Sequence, residues 1–456
     1  MSLVKQLKHA IDSNHSSDLV NLVKQHHFAD IADALEELNS TDITHFFSST
    51  PIRLSSQVLT KISLKNQLSL IQALTLPQST NIIADMPIND AAYLLEELHD
   101  TDSKKATTII NNLTPDQANE IKQLLAFPEH SAGSLMTSEY VSIPENLTAA
   151  KALSLIKNSY PPNSTSSFFI FIVNKKGELK GYSTLRNILL APANQPIREI
   201  RKEYPVTATT KMDQEDVAKA FQKYNLVVIP VINRFEKLVG IITIDEIVDV
   251  VIEEATEDMI KLSGTSEITE EKLLSGKISA SIFSRLPWLL LTIIGGLIAA
   301  WIISYFSTIY TASTFPLALL LSFVPLLMGL GGNVGNQSAT IFVRGLSTGL
   351  IKPKSTIQLI LREGVIGAII GLILSLLLIG LTAILNITTS LSLIVASALF
   401  INIVVASLIG ASFPLIFKHL NIDPAVASAP FISMTLDIIS QLIYFSLSLG
   451  VIQLFQ

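Results

Sequence analysis

Cysteine is absent from this chain of 456 residues, and charged residues are scarce after Arg285. Without cysteine the protein has no disulfide, no thiolate metal ligand and no thiol nucleophile. Only five of the 32 Lys and Arg and three of the 38 Asp and Glu lie between Leu286 and Gln456. Soluble domains contain roughly 25% charged residues, so we predict a membrane domain after Arg285 and soluble domains before it. This excludes a wholly soluble enzyme, and no cationic patch suggests a nucleic-acid partner.

The charge-poor part contains five apolar stretches, each long enough to cross a hydrocarbon core about 30 Å thick. They run over Leu286–Ile309, Phe315–Phe342, Thr356–Leu385, Leu391–Phe417 and Ala425–Phe455. Pro287 is expected in the first turn of the first helix, where proline is tolerated.

Positive charge occurs in alternate connections between these stretches. Arg344, Lys352 and Lys354 lie between the second and third, Lys418 lies between the fourth and fifth, and the other two connections are uncharged. Positive residues in short loops mark the cytoplasmic side of a membrane. We therefore expect cytoplasmic N-terminal domains, five spans of a cell (inner) membrane and a C-terminus outside.

Residues 1–135 show a pattern of short helices and an internal repeat. The segment DIADALEELNSTD (30–42) recurs 60 residues later as DAAYLLEELHDTD (90–102). Repeated helical units usually stack into a superhelix. We expect an all-α packing scaffold whose paired glutamates, Glu36–Glu37 and Glu96–Glu97, are solvated, and a sensing role for these pairs is the alternative.

Residues 136–252 change to strands that alternate with helices. SFFIFIVN (167–174) precedes GYSTLRNI (181–188), and LVVIPVIN (226–233) precedes GIITIDEI (240–247). Two copies of a strand, a polar turn and Gly-x-x-Thr before a helix resemble a pair of cystathionine-β-synthase-type (CBS) modules.

The CBS resemblance implies a candidate site for an adenine nucleotide such as ATP. Its contacts would be Thr184 with Asn187 and Thr243 with Glu246, where aspartate is more usual than glutamate. A purely structural module is the alternative.

Seven of the fourteen residues at positions 245–258, just before the membrane part, are acidic: Asp245, Glu246, Asp249, Glu253, Glu254, Glu257 and Asp258. On a helix, residues four positions apart share one face, and like charges at that spacing repel. A hard divalent cation bound by several carboxylates would relieve the repulsion. We interpret five of them as a divalent-cation sensor, with a solvated acidic face as the alternative: Asp245, Asp249, Glu253, Glu257 and Asp258.

Asp437 is expected about twelve residues into the last span, as the only acid well inside one. A carboxylate near the bilayer centre generally faces a pathway or a partner. An intramembrane aspartyl protease would need two such aspartates, so we do not expect an enzyme. A buried ion pair is the weaker alternative, because Arg344 and Arg362 lie near the cytoplasmic interface.

The second span contains the glycine- and amide-rich segment PLLMGLGGNVGNQSAT (325–340). Proline, glycines and amides together favour a locally opened helix that lines a wet cavity. A close helix contact through Gly331 and Gly335 is the alternative. The candidate pore residues of this segment are Gly329, Gly331, Gly332, Asn333 and Gln337.

Four segments resemble the MgtE family of magnesium transporters. They are EHSAGSLMTSEYV (129–141), RLPWLL (285–290), PLLMGLGGNVGNQSATIFVRG (325–345), and DPAVASAP (423–430) followed by Asp437. The likeness spans nearly the whole chain in the order of the family.

The resemblance implies a multidomain membrane protein. Its parts would be an all-α helical-repeat N domain (1–135), an α/β tandem CBS pair (136–252), a connecting or plug helix (253–284) and a five-helix transmembrane domain (285–456). It also implies a homodimer in the lipid bilayer with the pore between two membrane domains. Asp437 would be the selectivity carboxylate, and Asn333 would belong to the pore motif.

The expected function is a Mg²⁺-selective, channel-like transporter. Two Asp437 carboxylates across a dimer axis would suit a hydrated Mg²⁺, which gives up water reluctantly. Cytosolic Mg²⁺ bound to the acidic helix would close the route. The alternatives are a CBS-regulated transporter of Co²⁺ or Mn²⁺, a nucleotide-sensing membrane protein and a CBS-regulated anion channel.

Overall fold

The computed structural model describes residues 2–13, 16–158, 168–266, 278–310, 317–351 and 356–455. The chain divides into two compact units, Met1–Ile252 and Glu253–Gln456. We call them the soluble unit and the membrane unit. Lys352 and Lys354, together with part of the predicted connecting helix, lie outside the described residues.

Up to Leu135, the described residues of the soluble unit form helices and no strand, as predicted. These helices are α1 (Leu3–Asp12), α2 (Ser16–Gln25), α3 (Phe28–Glu36), α4 (Ser40–Ser49), α5 (Ile52–Leu59), α6 (Leu64–Ala73), α7 (Leu76–Asp85), α8 (Ile88–Asn112), α9 (Pro115–Leu124) and α10 (Ala132–Leu135).

The two repeat copies both supply core leucines but differ at their ends. Leu35 of α3 and Leu95 of α8 are fully buried. Near the end of the first copy, Asn39 starts α4 by accepting a hydrogen bond from the backbone N–H of Asp42 at 2.9 Å. The second copy lacks this cap, and α8 continues to Asn112 across a non-helical residue, Asp102.

The paired glutamates only partly fulfil the expectation of a solvated face. Glu36 is exposed, but its carboxylate accepts hydrogen bonds from the backbone N–H of Ser63 at 2.6 Å and from Asn66 Nδ2 at 2.5 Å. It thereby satisfies the N-terminus of α6. Glu96 is half-buried, and burial together with the charge of Glu129 raises its pKa.

The rest of the soluble unit is the predicted α/β pair. Its elements are β1 (Val141–Pro144), α11 (Ala149–Asn158), β2 (Phe169–Val173), β3 (Leu179–Thr184), α12 (Leu185–Leu190), α13 (Ile197–Ile200), β4 (Ala208–Thr209), α14 (Gln214–Tyr224), β5 (Val228–Ile232), β6 (Leu238–Thr243) and the first residues of α15 (Ile244–Leu262), a helix that continues into the membrane unit after Ile252.

The two sheets are copies of one arrangement. In each, the first strand is parallel to the second, and the second is antiparallel to the third. Phe169 pairs with Thr184 and Val228 pairs with Thr243, so both Gly-x-x-Thr segments end a strand at the same register. This confirms the predicted internal duplication.

The membrane unit contains the expected set of long apolar helices. They are α16 (Ile278–Tyr310), α17 (Leu317–Leu321), α18 (Val324–Ser347), α19 (Thr356–Ile384), α20 (Thr389–His419) and α21 (Ala429–Phe455). With α17 and α18 taken as one span, five are long and apolar enough to cross a membrane. Large apolar side chains such as Leu297 and Trp301 are each 67% exposed, as expected for lipid-facing positions.

Three predicted helix boundaries were wrong. Pro287 is the tenth residue of α16 rather than in its first turn, because the helix begins at Ile278. At about 50 Å, α16 is longer than the hydrocarbon core, so its first turns lie outside it. The second span is broken at Ser322–Phe323. The last helix begins at Ala429, after a 3₁₀ turn at Pro424–Val426.

The loop charges and helix ends together generate a labelling prediction. Thr348 and Ser390 are both exposed near helix ends, and the chain has no native cysteine. Thr348→Cys should resist a membrane-impermeant thiol reagent added to intact cells, whereas Ser390→Cys should react. Permeabilised cells provide the control, since both cysteines should then react. The opposite pattern in intact cells would reverse the orientation.

Candidate functional site

Asp437 is the ninth residue of α21 and is half-buried. Among the described residues, no side chain or backbone group hydrogen-bonds or forms an ion pair with it. A carboxylate in a membrane helix without a protein partner is costly unless it faces water, an ion or another chain. The carboxylate of Asp437 can therefore take a cation as its partner.

The expectation of a locally opened helix at residues 325–340 was wrong. Helix α18 runs without interruption from Val324 to Ser347, and Pro325 lies in its first turn. The break comes just before, at Ser322–Phe323. Glycines allow close approach of neighbouring helices, so tertiary packing keeps the backbone helical here.

The glycines of α18 bring it against two other helices. A Cβ at Gly335 would overlap the side chain of Leu436 on α21, and a Cβ at Gly410 of α20 would overlap the backbone of Gly335. A Cβ at Gly331 would lie 2.7 Å from Asn402 Nδ2. The close-contact interpretation of Gly331 and Gly335 is thus the one that the structure supports.

The remaining motif residues form a different face of α18. Gly329, Asn333 and Gln337 are exposed and four residues apart, so they share one helix face. Nothing lies within 4 Å of a Cβ built on Gly329. Exposed amides on a membrane helix indicate a face toward water or a second chain rather than lipid.

Asn402 of α20 is a buried polar residue that the sequence prediction missed. Its Nδ2 donates to the carbonyl oxygen of Leu327 at 2.8 Å, and its Oδ1 accepts from Ser440 Oγ at 2.6 Å. The side chain thereby links α20 to α18 and α21. Its position as the lone amide within Leu391–Phe417 was the signal that could have revealed it.

Glu363 is a second acid within a long apolar helix, in addition to Asp437. Glu363 is the eighth residue of α19 and accepts a hydrogen bond from Ser338 Oγ of α18 at 2.8 Å. At 1.5 Å per residue, both acids lie about 10–12 Å along their helices.

The predicted sensor acids all lie on one helix, α15, but they have different surroundings. In the soluble unit, Asp245 and Asp249 are exposed and their charges act on Asp90 of α8. Glu246 is half-buried and lies near Asp90 and Asn89. An acidic cluster that includes a carboxylate from α8 therefore surrounds the start of α15.

Burial perturbs two of these carboxylates. Desolvation, with the charges of Asp90, Asp245 and Asp249, raises the pKa of Glu246 to about 7. Desolvation also raises the pKa of Asp90 to about 6, although Lys61 opposes the shift. The cluster is therefore electrostatically strained at neutral pH, which protons or cations relieve.

The other end of α15 is bonded within the membrane unit. Lys261 Nζ pairs with Glu257 and with Asp423 Oδ2, the latter at 2.7 Å. Ser347 Oγ at the end of α18 donates to Asp258 Oδ2 at 2.7 Å. Although burial opposes it, hydrogen bonding to the two acids raises the pKa of Lys261, so the lysine is held as a cation.

No preformed metal site stands out in the part of the chain that the structure describes. The helix places Glu253 on its exposed surface, and Glu257 and Asp258 have protein partners. A cation bound by these acids would thus require rearrangement or a second chain. Oxygen-only donors nevertheless suit Mg²⁺, which keeps several waters and binds through one or two carboxylates.

The candidate nucleotide contacts lie at two equivalent strand ends. Thr184 ends β3, and its Oγ1 accepts from the backbone N–H of Asn187 at 3.2 Å, which caps α12. Thr243 ends β6 and is buried. Glu246 was predicted to contact the nucleotide together with Thr243. It lies near Asn89 and Asp90 instead of being exposed next to Thr243.

Three protein-family models match successive parts of the chain. Residues 26–130 match the MgtE intracellular N domain, residues 132–194 and 197–253 match CBS domains, and residues 324–447 match a divalent cation transporter family named MgtE.

Curated relatives match over most of their length. The chain is 29% identical to magnesium transporter MgtE of Bacillus subtilis, covering 94% of this chain and 96% of the relative. It is 29% identical to that of Thermus thermophilus, covering 98% of each. It is 32% identical to that of Enterococcus faecalis, covering 73% of this chain and 72% of the relative.

Solved structures match the soluble unit. The cytosolic domain of the Mg²⁺ channel MgtE in complex with ATP aligns with a TM-score of 0.52 and 27% identity, covering 54% of this chain and 99% of that one. The soluble part of a magnesium transporter aligns with a TM-score of 0.51 and 24% identity, covering 56% and 98%. The second likeness concerns the fold alone.

The raised pKa of Glu246 generates a pH prediction. An acid whose folded pKa exceeds its usual 4.5 stabilises the fold at low pH, and that stability is lost as pH rises toward about 7. Without divalent ions, the packing of α8 against α15 should therefore loosen between pH 5 and pH 8. Glu246→Gln should reduce this change, because the amide stays neutral.

Hydrogen exchange of α8 peptides in the full chain, corrected for intrinsic exchange rates, measures the effect. Glu203→Gln is the matched control, since Glu203 is exposed and should leave the pH response unchanged. Equal pH responses of the parent and Glu246→Gln would show that this carboxylate is not strained.

Proposed function

Because the chain belongs to the MgtE family of magnesium transporters, we propose that it carries Mg²⁺ passively across a cell membrane through its five-helix domain. The observation that carries the proposal is Asp437, which no described protein group satisfies, together with the exposed amide face of α18. A hydrated divalent cation is the ligand whose charge and donor shell fit both features.

The driving force for passive entry is adequate. Each elementary charge gains about 2.3 kcal/mol per 100 mV, so a divalent ion gains about 4.6 kcal/mol on moving to the negative side. The sequence offers no Walker-type loop for ATP-driven transport. A channel-like route therefore needs no additional energy source.

The working form is a homodimer. In the membrane unit, Asn333 and Gln337 are exposed amides that a second copy would cover or that would line a shared pore. In the soluble unit, Leu190 of α12 is 71% exposed, and Val248 and Val251 of α15 are each 52% exposed. Exposed apolar side chains clustered on helices are typical of subunit interfaces.

The domain assignment follows the family order. Residues 1–135 and 136–252 form cytoplasmic domains, residues 253–284 connect them to the membrane domain, and residues 285–456 cross the inner membrane with the C-terminus outside. The uncharged connection 386–390 and the positive Lys418 support this orientation.

Cytosolic Mg²⁺ closes the route by binding the acids around α15. Without it, Asp90, Asp245, Glu246 and Asp249 repel one another. Bound ions hold these groups together and fix α15, which is one continuous helix to Leu262. The C-terminal end of that helix forms its contacts within the membrane unit. A change in the position of α15 therefore closes or opens the pore.

Adenine nucleotide is the second regulatory ligand that we assign to the CBS pair. A relative of similar fold is known in complex with ATP. Thr184, Asn187 and Thr243 lie at the two strand ends where the duplicated fold offers equivalent contacts. Glu246, the fourth candidate contact, also belongs to the acidic cluster at the start of α15, where we propose that it binds Mg²⁺.

The transport proposal predicts a strong effect at Asp437. Asp437→Asn should lower Mg²⁺ flux into proteoliposomes at least about tenfold, the size of one lost charge-assisted contact, while insertion and dimerisation persist. Asp437→Glu keeps the carboxylate and should retain more flux than the asparagine variant. If Asp437→Asn conducts Mg²⁺ as well as the parent, this carboxylate is not the pore site.

The gating proposal is tested by flux against internal Mg²⁺ for two double variants. Asp245→Asn/Asp249→Asn should stay open at concentrations that close the parent, because the bridged carboxylates are gone. Glu253→Gln/Glu257→Gln tests the connecting segment separately, since Glu257 already pairs with Lys261. Inhibition curves identical to the parent for both variants would show that α15 is only a solvated connector.

A further inference from the structure

Two buried amide oxygens at the interface of α18 and α21 lack hydrogen-bond donors. They are Asn336 Oδ1 and Gln441 Oε1, and they belong to a group of only five such buried atoms in the described residues. Gln441 is 2% exposed. Native proteins rarely leave buried acceptors unsatisfied, so each one requires an explanation.

The amide nitrogens show why the oxygens are left over. Asn336 Nδ2 donates to Ser433 Oγ at 2.9 Å, and Gln441 Nε2 donates to Met328 Sδ at 3.3 Å. Each side chain is thus anchored across the interface by its donor end. The acceptor end remains unpaired.

These two contacts place Asp437 between the orphan oxygens. On α21, Ser433, Asp437 and Gln441 are four residues apart and form one stripe. Asn336, whose partner is Ser433, precedes Asp437 by one turn along this stripe, and Gln441 follows it by one turn. The three acceptors are therefore arranged in series.

The facing helix leaves room beside the carboxylate. On α18, Gly332 lies midway between Met328 and Asn336, at the level of Asp437. A Cβ built on Gly332 would meet only Ser433, with Oγ at 3.6 Å. Glycine at that level therefore leaves about the volume of a methyl group unfilled between the two helices.

A hydrated Mg²⁺ presents hydrogen-bond donors only. The lone pairs of its waters point at the metal and their hydrogens point outward, so the path of such an ion needs acceptors. An acceptor bonded to a coordinated water lies about 4–4.5 Å from the ion. One helical turn is about 5.4 Å, so acceptors one turn apart can receive the ion in succession.

We propose that Gln441 and Asn336 are specificity-determining residues whose amide oxygens accept hydrogen bonds from the water shell of the ion before and after it reaches Asp437. The inference rests on the proposed transport function and adds a series of outer-sphere contacts to it. It explains why two buried acceptors stay unpaired beside the carboxylate of Asp437, which has no protein partner among the described residues.

Gln441→Leu tests the proposal because it removes the amide but keeps a side chain of similar size. The probe is cobalt(III) hexaammine, whose fixed ammine shell donates hydrogen bonds without exchanging ligands. In proteoliposomes, Gln441→Leu should raise the concentration for half-maximal block of Mg²⁺ flux about tenfold, the effect of one lost charge-assisted hydrogen bond. Gln441→Glu restores an acceptor and should restore block.

A purely structural role for Gln441 predicts the opposite pattern. A structural role would lower the melting temperature of Gln441→Leu. Our proposal expects no such fall, because removing an unsatisfied buried acceptor does not destabilise a fold. It expects only Mg²⁺ flux and sensitivity to the blocker to decrease. Thr435→Val is the matched control. Its hydroxyl donates to the carbonyl oxygen of Phe431 within its own helix at 2.9 Å, and its loss should leave block unchanged.

The outcomes separate this inference from the transport proposal. If Asp437→Asn lowers flux but Gln441→Leu leaves flux and block as in the parent, the outer-sphere series is wrong and the pore site stands. A parent insensitive to cobalt(III) hexaammine would also overturn it. If Asp437→Asn conducts like the parent, the transport proposal itself fails.

Discussion

A carboxylate held inside an apolar helix bundle is the constraint around which the membrane unit is organised. Burying such a charge without a counter-ion costs several kcal/mol, and Asp437 has no partner among the described residues. Of the polar groups on the same helix, Ser440 donates its hydroxyl to Asn402, and Ser433 accepts from Asn336. The fold thus leaves the charge of Asp437 without a protein counter-charge among the described residues.

Close glycine packing makes this arrangement possible. Gly335 lies against Leu436 and against Gly410, so α18 contacts both α21 and α20 at side-chain-free positions. Dispersion contacts and hydrogen bonds, rather than a hydrophobic driving force, hold helices together in lipid. Asn402 adds a buried hydrogen-bond link among the same three helices. The rigid contact leaves the opposite face of α18, with Asn333 and Gln337, exposed.

Sequence patterns predicted the elements better than their contacts. Length and apolarity were sufficient for five spans, and the Gly-x-x-Thr segments for the duplicated α/β fold, because both signals are local. Continuity of α18 was missed, since glycine and proline suggest a break unless neighbouring helices are known. The pairing of Lys261 with Asp423 joins residues 162 positions apart. The burial of Glu246 beside Asn89 likewise depends on a distant helix.

The most direct test of a passive Mg²⁺ route closed from within is uptake by proteoliposomes that contain the full chain, with the soluble domains facing the lumen. An inside-negative potential without any other gradient should drive Mg²⁺ into vesicles with a Mg²⁺-free lumen. Millimolar Mg²⁺ preloaded in the lumen should suppress that uptake. Absence of potential-driven Mg²⁺ uptake, or uptake unaffected by luminal Mg²⁺ at any concentration, would contradict the account.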